Sequence, residues 1–377
     1  DETPVRGTFL SRLLARRPAA AAMVVLTVAA LIAAAAPLRD ASLGFDVIGG
    51  LPADAGPRTA AEAAAQGFAA GILSPTEVVV RGPDVIRERE ALVRLQRLIE
   101  GTPGVTGVLG PAQRPQAVTE VRSTLRVDQA LILAPGGDAA RYLVVFDADP
   151  AGSAGISRYD GLRARMPALL REAGLTDVQV SYAGDTAVAQ QVIDRTLSDL
   201  IRIALAVVLV DFLLLVLFLR ALVAPLFLIV ASVLALAASA GITVVIFQRL
   251  FGVQDIVYYV PFAAAVLLVS LGSDYNIFLV GRVWDEARAT PLRQAVERGV
   301  PRATRAISIA ALALAASFAL LGLIDVVAFR QLAVLLAVGV LVDAFFVRSL
   351  LVPSLITLFG HASAWPGRRA RQSAERA

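Results

Sequence analysis

Two adjacent residues, Asp274 and Tyr275, could carry proton chemistry inside an apolar segment of this chain. Asp274 is the only charged residue between Ile256 and Gly281. A carboxylate in the hydrocarbon core of a bilayer costs about 2.5–3.5 kcal/mol on insertion scales, and such acids usually serve proton relays, ion sites or transport pathways. The tyrosine hydroxyl can donate or accept a proton. We therefore interpret the pair as a proton relay; the alternative is a neutral carboxyl group that bonds a neighbouring helix.

Two further acids interrupt apolar runs. Asp211 lies within VVLVDFLLLV, where a structural role and a relay role are equally consistent with the pattern. Asp343 lies five residues before Arg348, which favours an ion pair or a snorkelling contact between the two. We expect the single histidine, His361, to be interfacial, and the chain has no cysteine. Proton chemistry must therefore rest on carboxylates, and a thiolate metal site is excluded.

Long apolar segments must position these acids. The chain is 57% hydrophobic with a mean hydropathy of +0.71, well above soluble proteins. A membrane span needs about 17–25 apolar residues. The sequence therefore predicts an α-helical polytopic membrane protein with six transmembrane helices, at Ala19–Leu38, Ile203–Leu219, Ala221–Gln248, Ile256–Gly281, Ala306–Ile324 and Gln331–Phe359.

The arginines predict the orientation of these spans in the plasma membrane. They cluster before the first span, between spans four and five, and in the tail, while the opposite short loops hold few. By the positive-inside rule both termini are cytoplasmic, so the net charge of +4 indicates topology and not nucleic-acid binding. Asp274 precedes Arg282 by eight residues, which places it ~12 Å from the inner edge of the membrane. The expected domains are a cytoplasmic segment (1–18), the first helix (19–38), an extracytoplasmic domain (39–199), a five-helix bundle (200–360) and a cytoplasmic tail (361–377).

The extracytoplasmic segment has its own α+β pattern. Its order is β-α-β, a hairpin, then α-β, which is typical of a ferredoxin-like fold. No phosphate loop, nucleophile elbow or metal-ligand spacing occurs in it, so we expect neither an enzyme nor a bound cofactor. The predicted strands are Glu77–Arg81, Val105–Leu109, Gln129–Ala134, Arg141–Phe146 and Val178–Tyr182, and the predicted helices are Asp84–Glu100 and Ile156–Glu172, with Thr59–Ala70 and Thr186–Leu200 leading to the membrane.

Several motifs resemble the MMPL family of the RND superfamily. They are GSDYNIFLVGR (Gly272–Arg282), LVDAFFVRSLLVPSL (Leu341–Leu355), a GxxxxWP ending at Gly360–Pro366, the LARRP entry to span one (Leu14–Pro18) and FDVIGGLPAD (Phe45–Asp54) after that span. The likeness covers nearly the whole chain and is weakest in the extracytoplasmic domain.

The resemblance implies a fold and a function. Members of this family have two repeats, each with one span, a porter domain and five further spans, and they export lipids and other hydrophobic compounds with the proton gradient. An Asp-Tyr pair in the fourth span of each repeat forms the relay, and Asp274 and Tyr275 match it. The implied partners are a lipid or hydrophobic substrate, protons, the bilayer and a second repeat.

The chain holds one such repeat and begins without Met, so we expect either the second half of a longer transporter or a half-size protein that dimerises. Two other functions stay open. A protein-export subunit similar to SecD has the same order of spans, but its comparable motif lacks the tyrosine. A lipid-sensing protein that does not pump would also keep the helical bundle.

Overall fold

The structure, a computed structural model, describes residues 13–45, 48–112 and 131–366, apart from the side chains of Ser273 and His361. It divides into a helical unit (1–41 and 197–377) and an α/β unit (42–196). Each unit has its own hydrophobic core.

The elements follow one another along the chain. In the first half they are α1 (Arg17–Ala35), β1 (Leu43–Gly44), α2 (Gly56–Gly67), β2 (Thr76–Arg81), α3 (Arg89–Glu100), β3 (Val105–Leu109), β4 (Ala139–Phe146), α4 (Ser153–Ala173) and β5 (Gln179–Ala183). In the second half they are α5 (Asp185–Leu219), α6 (Val223–Val244), β6 (Ile256–Val257), α7 (Tyr259–Glu286), α8 (Leu292–Ala319), α9 (Val327–Val342) and α10 (Val352–Phe359).

Six helical segments among the described residues are long and apolar enough to cross a membrane, as predicted. They cover Arg17–Asp40, Asp185–Leu219, Val223–Leu250, Tyr259–Glu286, Leu292–Leu323 and Val327–Phe359. The chain is thus mostly helical and has the architecture of a multi-pass membrane protein. The helix predicted at Thr186–Leu200 is present, and it is continuous with the second span, because α5 runs unbroken for 35 residues.

The last span is not a uniform α-helix. After α9 the chain forms a π-helix over Asp343–Leu351 and returns to α-helical geometry in α10. A second π-helix, Val245–Leu250, extends α6. A π-helix hydrogen-bonds residues five apart and often marks a functional site.

Close contacts fix α7, the helix of Asp274, beside α9. The buried Gln331 side chain accepts a hydrogen bond from the backbone N–H of Val257 and donates one to the carbonyl of Asp255, both at 2.9 Å. These bonds hold the start of α7 against the start of α9. Further along, a Cβ at Gly339 would overlap the methyl carbons of Leu268, so glycine lets this side chain lie directly against the α9 backbone.

The α/β unit contains a four-stranded antiparallel sheet in the order β3-β4-β2-β5. Burial alternates along β2 and β4, because one sheet face packs on α3 and α4. Its core includes Val78, Val144, Leu95 and Leu162. Tyr142 donates its hydroxyl to the carbonyl of Leu92 at 3.1 Å, which joins β4 to α3.

Two local predictions in this unit differ from the structure. The predicted helix from Asp84 divides at Glu88: a 3-10 helix, Val85–Arg87, follows the left-handed Asp84 (φ 52°), and α3 begins only at Arg89. The first hairpin strand is reduced, within the described residues, to a bridge between Leu133 and Ala140. Residues 129–130 of that predicted strand lie outside the described residues.

Candidate functional site

The side chains of Asp274 and Tyr275 point in different directions from α7. Successive residues on an α-helix do not face each other. Asp274 is exposed on the surface of this chain and makes no hydrogen bond or ion pair with any described residue. Tyr275 is half-buried against the core of the helical unit. The acid therefore faces away from the bundle that this chain forms, while the tyrosine faces into it.

Tyr275 packs beside a fully buried cation. The guanidinium carbon of Arg348, whose side chain is 0% exposed, lies 5.2 Å from the centre of the tyrosine ring. A cation over an aromatic face is attracted by the negative face of the ring, the more so when water is excluded. Arg348 therefore fixes both the position of the ring and the local electrostatic field.

Arg348 also makes three hydrogen bonds, of which one lies within the last span and two join that span to α7. Its Nε donates to the Asp343 carboxylate at 2.7 Å, one Nη donates to Asn276 Oδ1 at 2.8 Å, and the other donates to the carbonyl of Gly272 at 2.6 Å. Charge-assisted bonds of this length are strong, and a buried charge requires them. The cluster is a satisfied cation held by an acid, an amide and a backbone carbonyl.

The π-helix is what brings Asp343 and Arg348 together. In an α-helix two residues five apart point about 140° away from each other. The i to i+5 repeat of a π-helix places them one above the other. Ser349 repeats the spacing, because its hydroxyl donates to the carbonyl of Ala344 at 2.8 Å. The predicted ion pair between Asp343 and Arg348 is therefore present, and an irregular turn makes it possible.

Asp211 lies elsewhere on the helical unit. It is 9% exposed, whereas its neighbours Val210 and Leu213 are more than half exposed, so it lies on the packed side of α5. Since Asp274 pairs with no described residue, the structure does not bring these two acids into contact. A relay or structural role for Asp211 stays a prediction. His361 has no described side chain, so its interfacial position also stays a prediction.

A small cavity of about 20 Å³ adjoins the arginine cluster. Its polar lining comes from Ser232 on α6, Tyr275 on α7 and Asp343 at the start of the π-helix, and its remaining walls are apolar. Three spans thus bring a hydroxyl, a phenol and a carboxylate to one small cavity.

The motifs that contribute this cluster lie within a longer match to a known family. The model of the MMPL family matches residues 50–376. The chain belongs to the MMPL family. The match includes every residue of the cluster and both candidate relay residues.

Individual MMPL relatives are exporters or membrane proteins. The chain is 33% identical over 256 residues to the sulfolipid-1 exporter MmpL8 of Mycobacterium tuberculosis, a match covering 67% of this chain and 23% of that protein. It is 31% identical over 239 residues to the apo-petrobactin exporter of Bacillus anthracis, covering 62% of this chain and 32% of the exporter. A putative membrane protein of Streptomyces coelicolor, SCO5905, is 30% identical over 301 residues, covering 80% of this chain and 33% of that protein. The matches thus span only about a quarter to a third of these relatives.

Sequence reasoning missed that Arg348 lies at the centre of the arginine cluster. It indicates Arg348 only as the partner of Asp343, and it does not single out Asn276 or Gly272. Both latter residues lie within GSDYNIFLVGR, and Arg348 lies within LVDAFFVRSLLVPSL. Two of the motifs that carry the family resemblance therefore meet in space, and these motifs were the available signal.

Proposed function

We propose that this MMPL protein exports lipids or other hydrophobic compounds across the cell membrane, driven by protons that pass through Asp274 and Tyr275. The relatives named above include a sulfolipid-1 exporter and an apo-petrobactin exporter, which supports an amphiphilic or hydrophobic small molecule as substrate. The six long apolar helices supply the membrane embedding that such a transporter needs.

The observation that carries the proposal is the exposed carboxylate of Asp274 in the fourth span. An acid facing lipid is costly, and intramembrane acids face a bundle interior or a water-filled cavity. Since none of the described residues of this chain covers Asp274, we infer that another polypeptide unit shields it or brings water to it. Such a surface acid can exchange protons at an interface between two bundles, with Tyr275 on the inner side of the same helix.

The covering unit would be a second RND repeat, in the same polypeptide or in another protomer. The matches span 23% to 33% of the length of the relatives, so those proteins have ample chain for a second bundle. The counterpart of the Asp274 pair would come from that repeat.

The α/β unit would be the porter domain on the outer side of the membrane. Its β-α-β-β-α-β order and its sheet order β3-β4-β2-β5 support a ferredoxin-like fold. On the same proposal both termini are cytoplasmic. A cysteine placed near Gly136 would then react with impermeant maleimide from outside intact cells, and reaction only from the cytoplasmic side would contradict this orientation.

The relay is tested by Asp274→Asn in the protein as its gene encodes it. Inside-out vesicles receive a fluorescent glycolipid and an imposed pH gradient, and both lipid uptake and proton release are recorded. We expect both to fall to the level of vesicles without the protein, because the amide cannot bind and release a proton. Membrane insertion and the melting profile should be unchanged.

The matched control is Asp285→Asn on the same helix. Asp285 is exposed and forms a surface ion pair with Arg288 at 3.1 Å, so its loss should leave uptake unchanged. Uptake that survives Asp274→Asn would contradict the relay. If the unmodified protein binds lipid but moves neither lipid nor protons, a lipid-sensing protein is favoured; proton-dependent movement of polypeptides would favour a protein-export subunit.

A further inference from the structure

The cavity between Ser232, Tyr275 and Asp343 contains polar atoms that lack partners. Ser232 Oγ and Asp343 Oδ1 are both buried, and neither has a hydrogen-bond partner among the described residues. Both residues line the cavity. A buried donor or acceptor without a partner destabilises the folded protein, so native proteins rarely leave one unmatched.

The bonding of Asp343 is divided between its two oxygens. Oδ2 accepts the hydrogen bond from Arg348 at 2.7 Å, which leaves Oδ1 as the acceptor on the cavity side. Ser232 stands close to the same cation, because a Cβ placed on Gly272 would lie 3.6 Å from an Arg348 Nη and 3.7 Å from Ser232 Oγ. The serine hydroxyl can both donate and accept, but its neighbour Arg348 only donates.

The size of the cavity limits what it can hold. A site for one water needs roughly 10–15 Å³ and between two and four polar partners. The cavity measures about 20 Å³ and offers two polar partners, a carboxylate oxygen and a serine hydroxyl. Tyr275 forms part of its wall. The cavity is too small for any organic ligand.

The charge around the cavity favours water over a metal cation of similar size as its occupant. The fully buried Arg348 already neutralises the Asp343 carboxylate at 2.7 Å. A second cation would meet a guanidinium within a few ångströms in a medium of low dielectric, where like charges repel strongly. A neutral donor that can also accept a hydrogen bond suits Ser232 and Asp343 equally.

We propose that this cavity is a binding site for one ordered water molecule, which bridges Ser232 Oγ and Asp343 Oδ1 and adjoins Tyr275. The π-helix creates the site, because it turns Asp343 toward both Arg348 and the cavity. The water belongs to the buried cluster whether or not the chain transports anything. One consequence rests on the proposed function: if Tyr275 is part of the relay, the water lies beside it inside the bundle.

The test is an experimental structure of the protein in lipid nanodiscs, at a resolution that resolves buried waters. We expect one peak within hydrogen-bond distance, about 2.7–3.2 Å, of both Ser232 Oγ and Asp343 Oδ1. In Ser232→Val the peak should disappear, because valine removes the hydroxyl and its methyl groups occupy the space. A map with other buried waters but no peak here overturns the proposal, and so does a peak that persists in Ser232→Val.

Ser239→Ala is the matched control on the same helix. Ser239 is buried two turns from Ser232, but its hydroxyl already donates to the carbonyl of Ala235 at 2.7 Å. The water peak should survive this substitution. A sodium ion would raise the melting temperature as sodium replaced choline, so a shift seen in the unmodified protein and absent in Ser232→Val would also overturn the proposal.

These outcomes are separate from the transport result. The water is observed by structure and needs no substrate or proton gradient. If Asp274→Asn leaves export unchanged while the peak is present, the relay fails and the water site stands. If the peak is absent while Asp274→Asn abolishes export, the water proposal alone fails.

Discussion

Arg348 is the residue on which the buried polar cluster depends. It is 0% exposed and donates to Asp343 Oδ2, Asn276 Oδ1 and the carbonyl of Gly272 at once. Burying an ion pair costs desolvation energy, so such pairs add little net stability over apolar residues. Removing one partner is different, because the other charge stays buried without compensation. The position of Tyr275 and the charge pairing of Asp343 therefore both depend on this arginine.

We predict that Arg348→Met lowers the free energy of unfolding by about 3–5 kcal/mol, the usual cost of an uncompensated buried charge. The double variant Arg348→Met with Asp343→Asn should lose less than Arg348→Met alone, because no charge is left unpaired. Denaturation by a titrated detergent measures both values. The control is Arg330→Met, whose pair with Asp325 is exposed, where we expect about 0–1 kcal/mol. Equal losses at the two arginines would contradict the central role of Arg348.

Sequence alone located these acids but not their surroundings. Asp274, Asp211 and Asp343 are visible because each interrupts an apolar run. Asn276 was not, since an amide two residues after Asp274 has no pattern of its own and acquires its role only when the last span packs on α7. The spacing of Asp343 and Arg348 suggested a pair, yet five residues is the wrong interval for an α-helix, so the pair required a π-helix that hydropathy cannot predict.

At the scale of elements, small residues decide how closely the spans approach. Helices α1 and α6 meet at Gly241, where a Cβ would overlap the carbonyl oxygen of Ala34 and lie 2.9 Å from Cα of Ala35. These are backbone atoms, so no side-chain rotation can relieve the clash. In membranes such contacts between small residues supply much of the packing energy, because lipid gives no hydrophobic drive between helices.

We predict that Gly241→Ala destabilises the helical unit by about 1–3 kcal/mol, the range for overpacking a tight core. Gly281→Ala on α7 is the control, because a Cβ placed on Gly281 would have no packing neighbour within 4 Å. There alanine should be neutral or stabilising by about 0.4–1 kcal/mol, since it reduces the freedom of the unfolded chain. Detergent unfolding of both variants measures the difference. A loss at Gly281 as large as that at Gly241 would contradict the role of the Gly241 contact, because alanine has the higher helix propensity and should not destabilise an uncrowded helical position.

The number of spans was predictable and their exact construction was not. Runs of about 20 apolar residues specify membrane helices because every backbone polar group must be satisfied within the helix. Hydropathy does not mark where a helix continues into polar sequence, so it did not indicate that α5 extends back to Asp185. In the α/β unit, apolar runs predicted the strands β2 and β4, whereas the helix predicted from Asp84 becomes α-helical only at Arg89.

At the scale of the whole molecule, the question is whether lipid or a second bundle covers the face around Asp274. A covered face would make this bundle half of an assembly. Phe278 lies one turn beyond Asp274 on α7 and is 50% exposed in this chain. If a second bundle covers Asp274, it must also cover Phe278. Leu312 on α8 is 53% exposed and serves as a matched position that we expect to face lipid.

We predict that a nitroxide label on Phe278→Cys is immobile and poorly accessible to dissolved oxygen in membranes, because protein covers it, while the same label on Leu312→Cys is mobile and accessible. The chain has no native cysteine, so each label reports one site. Electron paramagnetic resonance of the protein as encoded measures both properties. Equal accessibility at the two sites would contradict the covered face. Dipolar coupling between Phe278→Cys labels on separate molecules would identify the cover as a second copy of this polypeptide, and protection without coupling would indicate a second repeat within it.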